Sequence, residues 1–138
     1  MSQIRSHQLA KAAFERVQAR SKPQFEACQK AYGALAHKLP VLILQHGLAQ
    51  ATGFLLAKGK DEHIALLNDL AQVLGVPSSG NGDGEALHQR IIEADAAKTM
   101  LLTRQALDAS GWLKRYVQGV LKVDATGESS FESAAGAE

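Results

Sequence analysis

The sequence predicts an all-α fold: a compact bundle of five to six helices around a central buried helix. Three observations lead there. Apolar residues recur at steps of three and four through most of the chain to about residue 122, the period of helices that each bury one face. No run alternates apolar and polar residues with a period of two, so no strand is expected. The run from Lys38 to Ala57 is the most apolar in the chain and opens at Pro40, which lacks a backbone N–H and suits a first helical turn. Wound at about 100° per residue, it places Val41, Ile43, Leu44, Gly47, Leu48, Ala51, Phe54 and Leu55 on one broad side. Gln45, His46, Gln50 and Thr52 form a polar wedge on the other side. A helix apolar over most of its circumference belongs inside a core. Its polar interruptions make it a poor membrane span.

Taken in order, the first helix is expected over 3–19, with Ala10, Ala13, Phe14 and Val17 inward and Arg5, Lys11, Arg16 and Arg20 outward. Ser21 and Gln24 have capping-box spacing, and Pro23 sits in the turn that follows. A second helix, with Phe25, Cys28, Tyr32, Leu35 and Leu39 as its packing stripe, is expected to break at Leu39-Pro40, because a residue before proline avoids the helical region. The central helix then runs to about Lys58-Gly59-Lys60. Asp61 and Glu62 favour a fourth helix start, where acids meet the positive end of the helix dipole. Ile64, Leu67, Leu70, Ala71 and Leu74 form its inner face, and Gly75 and Pro77 end it. Residues 75–84 are a glycine-rich loop. A short helix from Glu85 to Ala94 carries Leu87, Ile91 and Ile92. Asp95 caps the last helix, which runs to about Lys122 with Leu102, Ala106, Ala109, Leu113, Val117 and Val120 inward. Residues 1–123 thus form one helical domain, and 124–138 an acidic tail expected to be disordered.

The 138 residues suffice for one domain with a real core. One cysteine, Cys28, excludes an internal disulfide and a thiolate zinc cluster, and points to a reducing, cytoplasmic setting. Aromatics are scarce at 5%, which argues against an extended base-stacking platform. The net charge of +1 hides an asymmetry. Residues 1–60 hold nine basic side chains against two acidic ones, and 98–123 five against Asp108 alone. Residues 61–97 hold Arg90 against seven acids, and the tail has four acids and no base. Such blocks fit a surface for a polyanion and another for a protein, or else segments that neutralise one another in the fold.

No catalytic pattern emerges. Gly53 to Lys60 has five residues between its glycines instead of four and no Ser/Thr after Lys60, so it is not a phosphate-binding loop. The five histidines lack metalloprotease spacing and cysteine partners. His46 fits an interior hydrogen bond better than catalysis, unless an enclosed polar pocket lies beside it. One constellation remains. On the last helix Arg104, Arg115, Gln118 and Lys122 fall within about 60° of one another, with Lys114 alongside, over roughly 27 Å of helix. Such a rail can meet phosphates by charge-assisted hydrogen bonds. The alternative is a solvated face with Arg104 paired to Asp108 one turn on.

Two segments carry a family resemblance. One is Tyr32-Gly-Ala-Leu-Ala-His-Lys-Leu-Pro-Val-Leu-Ile-Leu-Gln-His-Gly-Leu-Ala-Gln, continuing to Phe54-Leu-Leu-Ala-Lys. The other is Leu102-Thr-Arg-Gln-Ala-Leu-Asp-Ala-Ser-Gly-Trp-Leu-Lys-Arg-Tyr-Val-Gln-Gly-Val-Leu. Together they resemble the small helical subunit of the Cmr complex, the type III-B CRISPR RNA-silencing effector of antiviral defence. The resemblance implies a subunit without enzymatic activity, cofactor, membrane contact or small-molecule substrate. Its implied partners are the backbone subunit, neighbouring copies of itself, and the guide and target RNA. Carried over by position, Lys38 of the Lys-Leu-Pro motif and Lys114 and Arg115 of the Trp-Leu-Lys-Arg motif are the implied RNA-facing residues. Arg104, Lys122 and Gln45 join them on the stripe and wedge arguments alone. The competing expectation is a helical protein–protein scaffold without RNA contact.

Overall fold

The structure is a computed structural model that describes residues 5–76 and 83–124. Helix α1 spans Arg5–Arg20, and a 3-10 turn follows over Pro23–Cys28. Helices α2 (Gln29–His46), α3 (Leu48–Lys58), α4 (Asp61–Val73), α5 (Asp83–Ile92) and α6 (Ala96–Tyr116) complete the bundle, and a π-helical turn over Val117–Leu121 extends α6.

The buried centre is α4, which packs on all five other helices. His63, Ala65, Leu66, Leu67, Asp69, Leu70, Ala71 and Val73 are buried, so nearly its whole circumference is enclosed. The apolar run expected to be the central helix is instead divided between α2 and α3. Helix α2 passes straight through Pro40, where a break is expected from sequence, and ends at His46. The ring removes one hydrogen bond to the preceding turn. Ala36, Leu39 and Ile43 nevertheless line one buried face on both sides of it, and that packing overrides the local preference. The corner lies at Gly47, with φ 86° and ψ 160°, a conformation that side chains oppose. Its N–H donates to the Ile43 carbonyl and its own carbonyl accepts from Ala51, closing both helices. The bend leaves Val41, Leu44 and Phe54 exposed, contrary to the single-rod expectation.

Local signals mark other ends correctly. Gly59 and Gly75 take positive φ at the ends of α3 and α4. Asp95 caps α6 by accepting from the Lys98 N–H at 2.8 Å. The Ser21 capping box does not form. Its hydroxyl donates back to the Gln18 carbonyl, and residues 23–28 make a 3-10 turn with no buried residue. Cys28 is accordingly half-buried, not part of the core stripe. Ile92 is exposed, whereas Leu87 and Ile91 face inward as expected. The loop segment 77–82 and most of the tail, 125–138, lie outside the described residues.

Asp69, fully enclosed on α4, ties three helices together. It accepts from Arg16 Nε at 2.9 Å, from Arg20 Nε at 2.9 Å and Nη2 at 2.7 Å, and from the Tyr32 hydroxyl at 2.5 Å. Arg20 also lies over the Phe25 ring. Burial pulls the Arg20 pKa down, but the hydrogen bond and charge of Asp69 outweigh it and leave it raised. Two arginines expected on the outer face of α1 are therefore turned inward, and part of the charge asymmetry is neutralised inside the fold.

The end of the described chain is fixed as well. Val123 fits a notch at Gly33, where an added Cβ would come within 2.4 Å of its side chain. The Val123 carbonyl lies 3.0 Å from His37 Nε2.

Candidate nucleic-acid interface

Helix α6 buries Leu102, Ala106, Ala109, Ser110 and Leu113, and so turns the opposite strip to solvent. Arg104, Arg115 and Gln118 are exposed there and Lys114 is half-exposed. Lys114, Arg115 and Gln118 line one open groove with Gly111 and with Pro40 of α2. The apposition of Pro40 and Gly111 joins the two segments that carry the family resemblance.

No ion pair among the described residues engages Arg104, Lys114 or Arg115. In particular, Arg104 does not pair with Asp108. These cations remain available to an anion.

The rail predicted at helical period does not extend to Lys122. From Val117 the helix widens into a π turn, which adds a residue to the turn and slips the angular register. The Lys122 N–H donates to the Val117 carbonyl, and Lys122 itself takes the left-handed conformation with φ 60°. Lys38 and Gln45 are exposed on α2 and share a side, about 20° apart on the helix. They lie roughly 140–160° round from Pro40 and so point away from the groove. The structure thus brings Lys114 and Arg115 together with Gln118, places Arg104 further along the same strip, and leaves Lys38 and Gln45 on another side.

Two features of this face escape the sequence reading. Met100 and Leu101 are exposed by 66% and 52% and, with Leu107, make the N-terminal half of the strip around Arg104 largely apolar. The available signal is Met100-Leu101-Leu102: on a helix that buries a single face, as α6 does, three consecutive apolar residues cannot all face inward. The second is an aromatic row between α1 and α6. Phe14 meets Tyr116 edge-on at 5.2 Å, Tyr116 stacks on Trp112 at 5.7 Å, and the Arg115 guanidinium lies 5.8 Å from the Trp112 ring centre. Trp112 Nε1 donates to Ser6 Oγ at 3.4 Å. The i, i+3 and i, i+4 partners on α6 are legible from spacing; Phe14, distant in sequence, is not.

The wedge around His46 does not make an enclosed site. His46 and Gln50 are exposed on an open groove beside Leu42 and Phe54. Thr52 is buried elsewhere, with its hydroxyl 2.7 Å from His88 Nδ1. Among the described residues no group of three His, Cys, Asp or Glu side chains is arranged to hold a metal, and no helix is long and apolar enough to cross a membrane.

Comparison with known proteins agrees with the family that the two segments suggest. The family model described as "CRISPR-associated protein (Cas_Cmr5)" matches residues 5–120. The CRISPR system Cmr subunit Cmr5 of Thermus thermophilus is 39% identical over 118 residues, covering 86% of this chain and 96% of the relative. A crystal structure of a CRISPR-associated Cmr5 family protein, also from Thermus thermophilus, superposes with a TM-score of 0.74 at 38% identity, over 87% of this chain and 99% of the other. The match spans every helix described above, including the α2 and α6 segments that meet at the basic groove, and the chain belongs to the Cmr5 family of CRISPR-associated proteins.

Proposed function

We propose that the chain is the non-catalytic small subunit of a type III-B CRISPR effector of the Cmr type, stacked along the backbone subunits and beside copies of itself. Through the outward strip of α6 it meets guide or target RNA. The observation that carries this reading is the groove in which Lys114, Arg115 and Gln118 converge beside Pro40. These cations have no ion-pair partner among the described residues, whereas Arg16 and Arg20 are held by Asp69. Recognition is blind to most of the sequence: Lys and Arg meet phosphates, and base pairing between guide and target supplies specificity. Lys114, Arg115 and Arg104 are the principal contacts in this reading. Lys38, Gln45 and Lys122 are peripheral to it.

Salt titration tests it. Each phosphate contact on a single strand contributes a slope of about −0.7 in log K against log salt, so three contacts give about −2. Filter binding of the full chain to single-stranded RNA is expected to show that slope, and affinity independent of salt would overturn the reading. The second reading, a scaffold without RNA contact, draws on the exposed Met100 and Leu101, an apolar surface suited to a protein neighbour.

A further inference from the structure

Beside the basic groove, α6 carries a second open depression of about 300 Å³, lined by Leu107, Asp108, Gly111, Trp112 and Arg115. We infer that this depression receives one unpaired RNA base and favours guanine. The inference rests on the RNA-contact reading of α6 and names what that face selects.

Four observations support it. Gly111 and Arg115 line both depressions, so a nucleotide seated in one has its flanking phosphates at the Lys114 and Gln118 side of the other. Nothing lies within 4 Å of the position a Gly111 Cβ would take, so the space above this turn is open. Any longer side chain there would enter that space. The Arg115 guanidinium lies over the Trp112 indole, which is itself backed by Tyr116. A planar guanidinium held against an indole offers a base a cationic stacking surface. The low aromatic content of the chain does not oppose this, because three of its seven aromatic rings gather in this one row.

Asp108 supplies the selectivity. It is exposed, and no ion pair among the described residues engages it. An ionised carboxylate is acceptor-only, with two oxygens side by side. Guanine alone among the four bases presents two adjacent donors, N1–H and the N2 amino group, to meet both oxygens. Adenine and cytosine present one amino group next to a ring-nitrogen acceptor, which the carboxylate repels. Uracil flanks its single N3–H with two carbonyls. The expected order is guanine first, adenine and cytosine next, uracil last.

Trp112 is the only tryptophan in the chain, so its fluorescence reports on this place directly. The test is a titration of the full chain at low salt with the hexamers UUGUUG, UUAUUA and UUUUUU, following fluorescence quenching and, in parallel, the anisotropy of labelled RNA. One good bidentate contact to a base edge corresponds to roughly tenfold discrimination. UUGUUG is therefore expected to bind about tenfold more tightly than UUUUUU and to quench Trp112 most. Asp108→Asn and Gly111→Leu are both expected to bring that ratio to about one. The Cβ of Gly111→Leu meets no neighbour, the rest of the side chain extends into the open depression, and the change replaces a poor helix former, so the fold is expected to be kept. Equal affinity of the hexamers, or a preference untouched by both substitutions, overturns the inference while salt-dependent binding leaves the phosphate reading standing. No binding of any hexamer at low salt overturns both.

Discussion

Replacing Asp69 by alanine is expected to destabilise the fold by about 3–5 kcal/mol, the range for removing one member of a buried ion pair. Domains of this size are stable by about 5–15 kcal/mol, so the loss is a large share of the total. Three donor side chains lose their acceptor together. Arg16 and Arg20 retain 27% and 17% of their side-chain exposure and recover some hydration, but the Tyr32 hydroxyl is fully buried and recovers none. Unsatisfied buried donors cost about 1–3 kcal/mol each, which places most of the penalty on Tyr32 and the inner edge of Arg20. Urea denaturation at pH 7 measures it. A loss below about 1 kcal/mol would show that α1, α2 and α4 are held by apolar packing alone.

The same cluster sets an alkaline limit. Burial, and then the charge and hydrogen bond of Asp69, hold the Tyr32 pKa well above its ordinary value. The folded chain therefore keeps a proton that the unfolded chain gives up near pH 10. This contribution is fully present below pH 10 and falls away above it by about 1.4 kcal/mol per pH unit. Urea denaturation at pH 9 and pH 11 is expected to show a smaller loss for Tyr32→Phe than for the unchanged chain, although the variant starts less stable. Equal losses would remove Tyr32 from the account.

What the sequence discloses is local or strongly periodic. Asp95 caps α6 because a short acidic side chain needs only its own backbone three residues on. Gly59 and Gly75 end helices because they take a left-handed conformation that most side chains oppose. The inner strip of α6 follows from periodicity alone. The misplaced features depend on packing, on backbone geometry or on a partner far along the chain. Pro40 is carried through α2 by packing around Leu39 and Ile43, while Gly47 makes a corner that no neighbouring residue announces. Arg16 and Arg20 are 53 and 49 residues from Asp69, beyond the reach of any helix-spacing argument. The basic strip is legible where α6 is α-helical and lost at Lys122, where the π turn breaks the period. Family resemblance draws attention to α2 and α6, but which side of each faces out comes only from their packing.

Reversing both charges in Lys114→Glu/Arg115→Glu is expected to abolish most RNA binding while leaving the fold intact. Arg115 is exposed and Lys114 half-exposed, and neither has an internal ion pair among the described residues, so the change removes no structural contact of that kind. Each lost phosphate contact lowers affinity about fivefold at 0.1 M salt, and two lower it about 25-fold, with the salt slope falling by about 1.4. Placing acids where the cations stood adds repulsion, so about 25-fold is a lower bound. Charge neutralisation in Lys114→Gln/Arg115→Gln measures the lost contacts without that repulsion. The two readings of the subunit part here. If α6 meets RNA, the reversed chain still assembles with its neighbours but the complex loses target RNA affinity, because Met100, Leu101 and the rest of the apolar surface are unchanged. If the subunit is only a spacer, target RNA affinity stays as it was. Unchanged binding in both variants would leave the apolar half of α6 as the working surface and assign its cations to solubility alone.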